Sequence, residues 1–224
     1  MARAALFDVD GTLADTNHLH VVCWWEAFRQ AGHHVPTHDI HRSIGLGSTD
    51  LIDHLLGDDR DRSADEDIST AHKVLYATCF ERLPALDGAK ELLHAFDARG
   101  WRVVLATSAG GAELKALRRA IDADDVIAGV ASADDVSSGK PAPDPVRQAL
   151  DIAGCEPHEA LFVGDTVWDM QAARRAGVRA VAVLSGGIPR RDLEAEGAAA
   201  VYATPAELLD DLDDLEAALT ERTG

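Results

Sequence analysis

The chain has 224 residues, of which 46% are hydrophobic, enough to form the core of one domain with an insertion or of two small domains. Its 39 acidic residues outnumber its 21 basic residues, giving a formal net charge of −18, and no basic patch offsets this excess. The acidic balance argues against nucleic acid or an anionic membrane surface as a partner.

Short apolar segments alternate with helical patterns, which predicts repeated βα units and a parallel sheet. The segments are nearly all apolar, as expected for strands that are covered on both faces. The predicted strands span residues 4–7, 102–106, 126–131, 160–163, 180–184 and 199–202. The predicted helices span residues 88–98, 111–121, 144–153, 168–176 and 205–219, with Asp144 as the N-cap of the third. The predicted class is α/β, with a doubly wound, Rossmann-like parallel sheet.

Residues 16–84 interrupt this alternation, since they contain helical patterns and no convincing strand. We interpret them as a helical cap domain inserted after the first strand. The predicted division is therefore an α/β core formed by residues 1–15 and 85–224, and a helical cap formed by residues 16–84.

Polar residues follow several of the predicted strands. Asp8 follows the first strand, Thr107 and Ser108 follow the second, and Asp165 follows the strand at 160–163, while Lys140 lies in a loop beyond another strand. In open α/β sheets, ligands bind outside the carboxyl ends of the strands. We therefore expect these side chains to converge on one cleft.

Asp8 and Asp10 point to the same side if the chain stays extended between them. Two carboxylates about 4 Å apart repel each other by roughly 4 kcal/mol at an effective dielectric constant near 20, and Asp165 adds to the repulsion. A hard divalent cation such as Mg²⁺ suits such an all-oxygen site. The sequence therefore predicts a magnesium site.

This arrangement suits phosphoryl transfer. A carboxylate beside a metal-bound phosphate can attack phosphorus and form an aspartyl-phosphate, and the second carboxylate can protonate the leaving oxygen and then activate water. Thr107, nearby backbone N–H groups and Lys140 would serve the transferring oxygens. Gly11 would let the backbone turn closely beneath the phosphate.

Four segments resemble, in order, the four motifs of the haloacid dehalogenase-like hydrolase superfamily: DVDGT at 8–12, VVLATS at 103–108, GKPAPD at 139–144 and VGDTVWD at 163–169. The resemblance implies that Asp8 is the nucleophile and Asp10 the general acid/base. It also implies that phosphate is bound by Thr107 and Lys140, with Ser108 contributing its backbone N–H. Mg²⁺ would be bound by Asp8, the Asp10 main-chain carbonyl, Asp165 and Asp169. Asp169 would either ligate the metal directly or orient its water shell.

The resemblance favours a phosphatase. Dehalogenases and phosphonate hydrolases of the superfamily lack the second aspartate, so Asp10 argues against both. The β-phosphoglucomutase branch is the alternative, but it has an arginine for its second phosphate where this chain has Ser48, and the turn around Ser48 is closer to phosphoglycolate-phosphatase-like members. A non-catalytic phospho-aspartate signalling domain fits less well, because receivers are shorter and have no helical cap.

The cap offers three candidate substrate contacts, His20, Arg42 and Lys73. The expected partner is a small phosphorylated metabolite. With no signal peptide and no segment of membrane-spanning length, the protein is expected to be cytoplasmic, without a membrane or nucleic-acid partner, and to be a monomer or a homodimer.

Overall fold

Six parallel strands form one sheet in the computed structural model, which describes residues 3–57, 59–132 and 138–221. The strands are β1 (Arg3–Phe7), β2 (Trp101–Ala106), β3 (Ile127–Ala131), β4 (Ala160–Gly164), β5 (Arg179–Val183) and β6 (Val201–Tyr202). Their order across the sheet is β3-β2-β1-β4-β5-β6. All six predicted strands are present, displaced by at most two residues at either end.

Helices connect the strands, and those from residue 89 onward cover the two faces of the sheet. They are α1 (Asn17–Gln30), α2 (Thr37–Ser43), α3 (Ser48–Leu56), α4 (Asp65–Ala77), α5 (Ala89–Ala98), α6 (Gly111–Ile121), α7 (Asp144–Ala153), α8 (Val167–Ala176), α9 (Arg190–Ala195), α10 (Pro205–Asp210) and α11 (Leu212–Glu221).

Three details of the predicted helices were wrong. The single helix predicted at 205–219 is divided at Asp211 into α10 and α11, and α9 was not predicted. Asp144 is the first residue of α7 rather than its cap, because Pro143 occupies the capping position. Pro145, which favours a helix start, is therefore accompanied by a second proline two residues earlier, Pro143.

The strands place alternate side chains on the two faces of the sheet. Ala5 and Phe7 of β1 belong to a core with α5, α6, α10 and α11, whereas Ala4 and Leu6 belong to a core with α7, α8 and α9. All four side chains are fully buried. Since both faces are covered, the strands have the apolar composition from which they were predicted.

The strand order reverses between β1 and β4, which are neighbours in the sheet although 152 residues separate the end of one from the start of the other. In doubly wound sheets a crevice opens at this switch point, outside the carboxyl ends of the strands. Asp8 directly follows β1 and Asp165 directly follows β4, so both residues lie at this crevice.

Helices α1 to α4 form an insertion with its own apolar core, built around Trp24, Phe28 and Ile40. Among the described residues of 16–84, the only β-type pairing is a bridge between Ile44 and Leu46. The chain leaves and re-enters the sheet region at a bridge between Ala14 and Ala85. In the described parts of the chain, we find no helix with the length and apolar character needed to cross a bilayer.

The insertion contacts the sheet domain close to the crevice. The indole Nε1 of Trp168 in α8 donates a hydrogen bond to the carbonyl oxygen of Arg42 at 3.1 Å. Gly45 has a φ of +100°, and a Cβ there would lie 2.9 Å from Thr166 Oγ1. A larger residue at position 45 would therefore push the insertion away from the start of α8.

Candidate active site

The loop after β1 turns sharply because of Gly11. The Asp8 N–H still follows the sheet and donates to the Val163 carbonyl at 2.9 Å. Gly11 has a φ of +76°, and a Cβ there would lie 2.4 Å from both Asn17 Nδ2 and Asp165 Oδ2. Because only glycine tolerates this conformation and this space, the turn brings the backbone directly against Asp165.

Lys140 joins two carboxylates in a buried cluster. Its Nζ donates a hydrogen bond to Asp8 Oδ1 and lies 2.7 Å from Asp169 Oδ1. The three residues are 1%, 5% and 0% exposed, respectively. Burial would lower the pKa of Lys140, but the charges of Asp169 and Asp8 outweigh this effect and raise it, so the ammonium stays charged.

Asp165 lies beside this cluster and is held by neutral donors. Thr12 Oγ1 donates to its Oδ1 at 2.9 Å and Asn17 Nδ2 to its Oδ2 at 2.8 Å. Its pKa is raised well above the usual value by burial and then by the negative charges of Asp169 and Asp8. Asp165 is not the N-cap of α8, a structural alternative for an aspartate at this position, because Thr166 has that role.

Asp169 is fixed by the first turn of α8. The backbone N–H and the hydroxyl of Thr166 donate to Asp169 Oδ2 at 3.0 and 2.6 Å, and the Asp169 N–H donates back to Thr166 Oγ1 at 3.2 Å. This reciprocal capping leaves Oδ1 for Lys140. With no exposed surface, Asp169 is not a solvated helical aspartate.

The donor set of Asp8, Asp165 and Asp169 fits a hard divalent cation. Each residue offers a carboxylate oxygen, and these oxygens lie within 4.8 Å of one another. Burial, followed by the neighbouring charges, raises the pKa of Asp8 to about 7 although Lys140 acts in the opposite direction. The single positive charge of Lys140 therefore does not neutralise three buried carboxyl groups. A divalent metal ion bound by their oxygens would supply the missing positive charge.

Asp10 has a different environment from Asp8. Its Oδ1 accepts a hydrogen bond from Thr16 Oγ1 at 2.6 Å and contacts His20 Nε2 at 3.2 Å. Burial would raise the pKa of Asp10, but the hydrogen bond and charge of His20 and the bond from Thr16 outweigh it and lower the pKa. Asp10 is therefore held as a carboxylate on the side of the loop that faces the insertion.

A second histidine supports His20 from helix α4. His20 Nδ1 lies 3.1 Å from His72 Nε2, and the Tyr76 ring stacks on His20 with centroids 3.8 Å apart. Burial would lower the pKa of His20, but Asp10 and then Glu113 raise it. Burial and the charge of His20 lower the pKa of His72 to about 2, so His72 is the neutral member of the pair.

Thr107 and Ser108 follow β2 and line the same cavity as Asp8 and Asp10. Thr107 is buried, and its hydroxyl accepts a hydrogen bond from the Ala109 N–H at 3.1 Å. Ser108 is exposed and lies in the lining of the cavity. Both residues therefore lie at the strand end where the sequence predicted phosphate-binding groups.

The three predicted contacts in the insertion divide into two groups. His20 and Lys73 line a cavity of about 810 Å³ that also contains Asp8, Asp10 and Thr107. Arg42 is absent from its lining; its side chain is 56% exposed and lies 3.4 Å from Asp192 Oδ2 in α9. The structure therefore does not bring Arg42 to the site, because the side chain pairs with the outer surface of the sheet domain.

Several residues at the site were missed in the sequence. Thr12, Asn17 and Thr166 hold metal-ligand candidates, and His72 and Glu113 lie behind and beside His20. Thr12 could have been found, because it lies within the first motif. Glu113 gives no sequence signal, since it is one of several glutamates in the first turn of a helix.

A Rossmann-like sheet with an acidic cluster at its switch point places the chain among the α/β enzymes that act at the carboxyl edge of the sheet. Residues 2–177 match the model of a family described as haloacid dehalogenase-like hydrolase. The chain belongs to this family.

Relatives of known type extend this result. A phosphoglycolate phosphatase of Nitrosospira multiformis is 32% identical over 197 residues, which cover 85% of this chain and 87% of the relative. An N-acetylmuramic acid 6-phosphate phosphatase of Pseudomonas aeruginosa is 31% identical over 218 residues, covering 94% and 95%. The crystal structure of a hydrolase from Pseudomonas syringae superposes with a TM-score of 0.90 at 35% identity, covering 95% and 98%. The family and these phosphatases identify the chain as a phosphoric monoester hydrolase.

Proposed function

We propose that the chain is a Mg²⁺-dependent phosphatase that hydrolyses a small phosphomonoester through an aspartyl-phosphate on Asp8. The observation that carries this proposal is the separation of two carboxylates on one loop. Asp8 belongs to the buried cluster with Lys140, whereas Asp10 is held by Thr16 and His20 beside the cavity. Two carboxylates in different environments suit two different roles.

In the first half-reaction, an Asp8 carboxylate oxygen attacks phosphorus and the bond to the leaving oxygen breaks. Lys140 keeps Asp8 oriented, and the Thr107 hydroxyl and the Ser108 backbone N–H, which line the same cavity, would hold the phosphoryl oxygens. Bound Mg²⁺ would neutralise charge on the phosphoryl group and keep Asp8 ionised. Asp8, Asp165, Asp169 and the main-chain carbonyl of Asp10 would hold the ion.

Asp10 would serve as general acid in the first half-reaction and as general base in the second. As acid it passes to the leaving alcohol a proton taken from His20, whose pKa is raised and whose Nε2 lies 3.2 Å away, and as base it then takes a proton from the water that attacks the aspartyl-phosphate. Thr16 and His20 hold the Asp10 side chain in place between turnovers. The alcohol and inorganic phosphate are the products, and Asp8 is regenerated.

The insertion of residues 16–84 would act as a cap that excludes bulk water from the reacting groups. Its helices α1, α3 and α4 all contribute to the lining of the 810 Å³ cavity. This volume suits a small phosphorylated metabolite.

Replacement of Asp8 by asparagine tests the mechanism. We expect Asp8→Asn to reduce turnover of an aryl phosphate by at least about 10³-fold, because the amide is a poor nucleophile. Asp122→Asn is the matched control, since Asp122 is exposed and pairs with Lys90. Acid quenching and mass spectrometry should find phosphate on Asp8 of the wild type. Wild-type turnover in Asp8→Asn, or phosphate on another residue, would contradict the mechanism.

The mutase alternative makes a different demand on the cavity, because it requires a site for a second phosphate. Ser48 lies in the cavity lining, together with Lys73 and acidic side chains that disfavour a second anion. Hydrolysis is therefore the better-supported reaction. Isomerisation of a sugar phosphate faster than phosphate release would reverse this preference.

A further inference from the structure

The cavity continues beyond the groups that would hold the phosphate. Asp8 and Thr107 lie at the carboxyl edge of the sheet, and the rest of the 810 Å³ volume is bounded by α1, α3, α4 and the first turn of α6. If the phosphate lies on Asp8, the leaving alcohol must occupy this second part. Its lining therefore decides which alcohols are accepted.

Negative charge predominates in this lining. Besides Asp8, the described lining residues include the carboxyl groups of Asp10, Asp50 and Glu113, against two basic groups, Lys73 and His20, the latter with a raised pKa. Lys140 is not part of the lining, because it is buried between Asp8 and Asp169. A leaving group that carries a carboxylate would thus meet more acidic than basic side chains.

Glu113 is the acidic group best placed to contact the leaving alcohol. It lies in the first turn of α6, and its Oε1 is 3.7 Å from His20 Nε2. Carboxylate oxygens of Glu113 and Asp10, together with a His20 nitrogen, lie within 4.8 Å of one another. Since Asp10 is the proposed acid for the leaving oxygen, a group one or two carbons from that oxygen is within reach of Glu113.

Glu113 is the first polar side chain after Ser108 along this wall of the cavity. Residues 109–112, which precede Glu113, are Ala-Gly-Gly-Ala and carry no polar side chain. His72 lines the cavity, and its Nδ1 has no hydrogen-bond partner in the part of the chain that the structure describes. Glu113 is therefore the principal acceptor that α6 presents to a substrate.

We propose that Glu113 is a specificity-determining residue, which accepts a hydrogen bond from a hydroxyl or amino group of the leaving alcohol and disfavours alcohols that carry a carboxylate. This inference rests on the proposed phosphatase function. It predicts phosphomonoesters of uncharged or amine-bearing alcohols as the substrate class.

Three two-carbon esters test the proposal at about pH 8: 2-hydroxyethyl phosphate, 2-aminoethyl phosphate and 2-phosphoglycolate. We expect kcat/KM of the wild type to be at least about tenfold higher for the first two than for phosphoglycolate. Glu113→Gln and Glu113→Ala should both reduce this ratio by about three- to tenfold, chiefly through a lower KM for phosphoglycolate.

Glu91→Gln is the matched control, because Glu91 is also a first-turn glutamate but is exposed on α5. It should leave all three ratios unchanged. p-Nitrophenyl phosphate reports the chemistry separately, since its leaving group carries neither a carboxylate nor a hydrogen-bond donor for Glu113. A wild-type preference for phosphoglycolate, or an unchanged ratio in both Glu113 variants, would overturn the inference while leaving the proposed function intact. Failure to hydrolyse any of these esters, including p-nitrophenyl phosphate, would overturn both the inference about Glu113 and the proposed phosphatase function.

Discussion

Replacement of Lys140 by methionine is the sharpest test of how the active-site cluster is stabilised. Lys140 is 1% exposed and contacts Asp8 and Asp169, which are themselves buried. Methionine fills similar space but removes the only cation that touches either carboxylate in the described structure. The variant would therefore leave buried carboxyl groups without a compensating charge.

The expected loss of stability is large. Removing one partner of a buried ion pair destabilises a protein by about 3–5 kcal/mol. For a chain of this size, each kcal/mol shifts the Tm by about 2–4 °C, so Lys140→Met should lower the Tm by roughly 6–20 °C. A second substitution, Asp169→Asn, removes one of the uncompensated charges and should restore part of this loss, by about 0.5–3 kcal/mol.

Thermal unfolding followed by circular dichroism measures these effects, first in EDTA and then with Mg²⁺. Lys90→Met is the control, because Lys90 contacts Asp122 at 2.6 Å but both side chains are largely exposed. This control should unfold close to the wild-type temperature. The reasoning is refuted if Lys140→Met unfolds within about 2 °C of Lys90→Met, or if adding Asp169→Asn destabilises it further.

Two further predictions concern the metal-site candidates. Gly186→Ala should destabilise the protein by about 1–3 kcal/mol, since its Cβ would lie 1.7 Å from Asp165 Oδ2. Gly47→Ala, whose Cβ would have Asp50 Oδ2 at 3.8 Å as its nearest neighbour, should unfold at the wild-type urea concentration, and equal midpoints for the two variants would contradict the packing argument. The second prediction concerns pH: burial raises the pKa of Asp8 from 3.8 to about 7, so the metal-free folded state retains a proton that the unfolded state has lost. Its stability should therefore fall as the pH rises from about 4 through 7, and Mg²⁺ should raise the Tm more at pH 8 than at pH 5.5. A shift of equal size at both pH values, or a larger one at pH 5.5, would refute the linkage.

The sheet and the positions of the polar groups were predictable from local sequence. A parallel strand covered on both faces must be a short apolar run, so β1 and β4 are visible in the sequence, and the residue after each run must lie at the carboxyl edge. Asp8, Thr107 and Asp165 follow such strands. Short helices with few buried residues were harder to predict. Helix α9 has six residues and one fully buried side chain, so its sequence shows no hydrophobic periodicity.

The order of pairing and the partners of each side chain depend on tertiary structure. Lys140 meets Asp8 across 132 positions in the sequence, and Asn17 meets Asp165 across 148. Arg42 resembled a substrate contact in the sequence, but the orientation of α2 against α9 gives it Asp192 as a partner. No local sequence pattern indicates which of these distant residues will be in contact.

The amino-acid sequence by itself determined that acidic, hydroxyl and lysine side chains would follow apolar strands of a Rossmann-like sheet, because strand composition and length are local properties. Only the tertiary structure decided that Glu113 lies beside His20 and Asp10, and that Lys140 is buried between two carboxylates. The physical reason is that burial and charge balance are properties of the packed cluster, to which segments far apart in the chain contribute together.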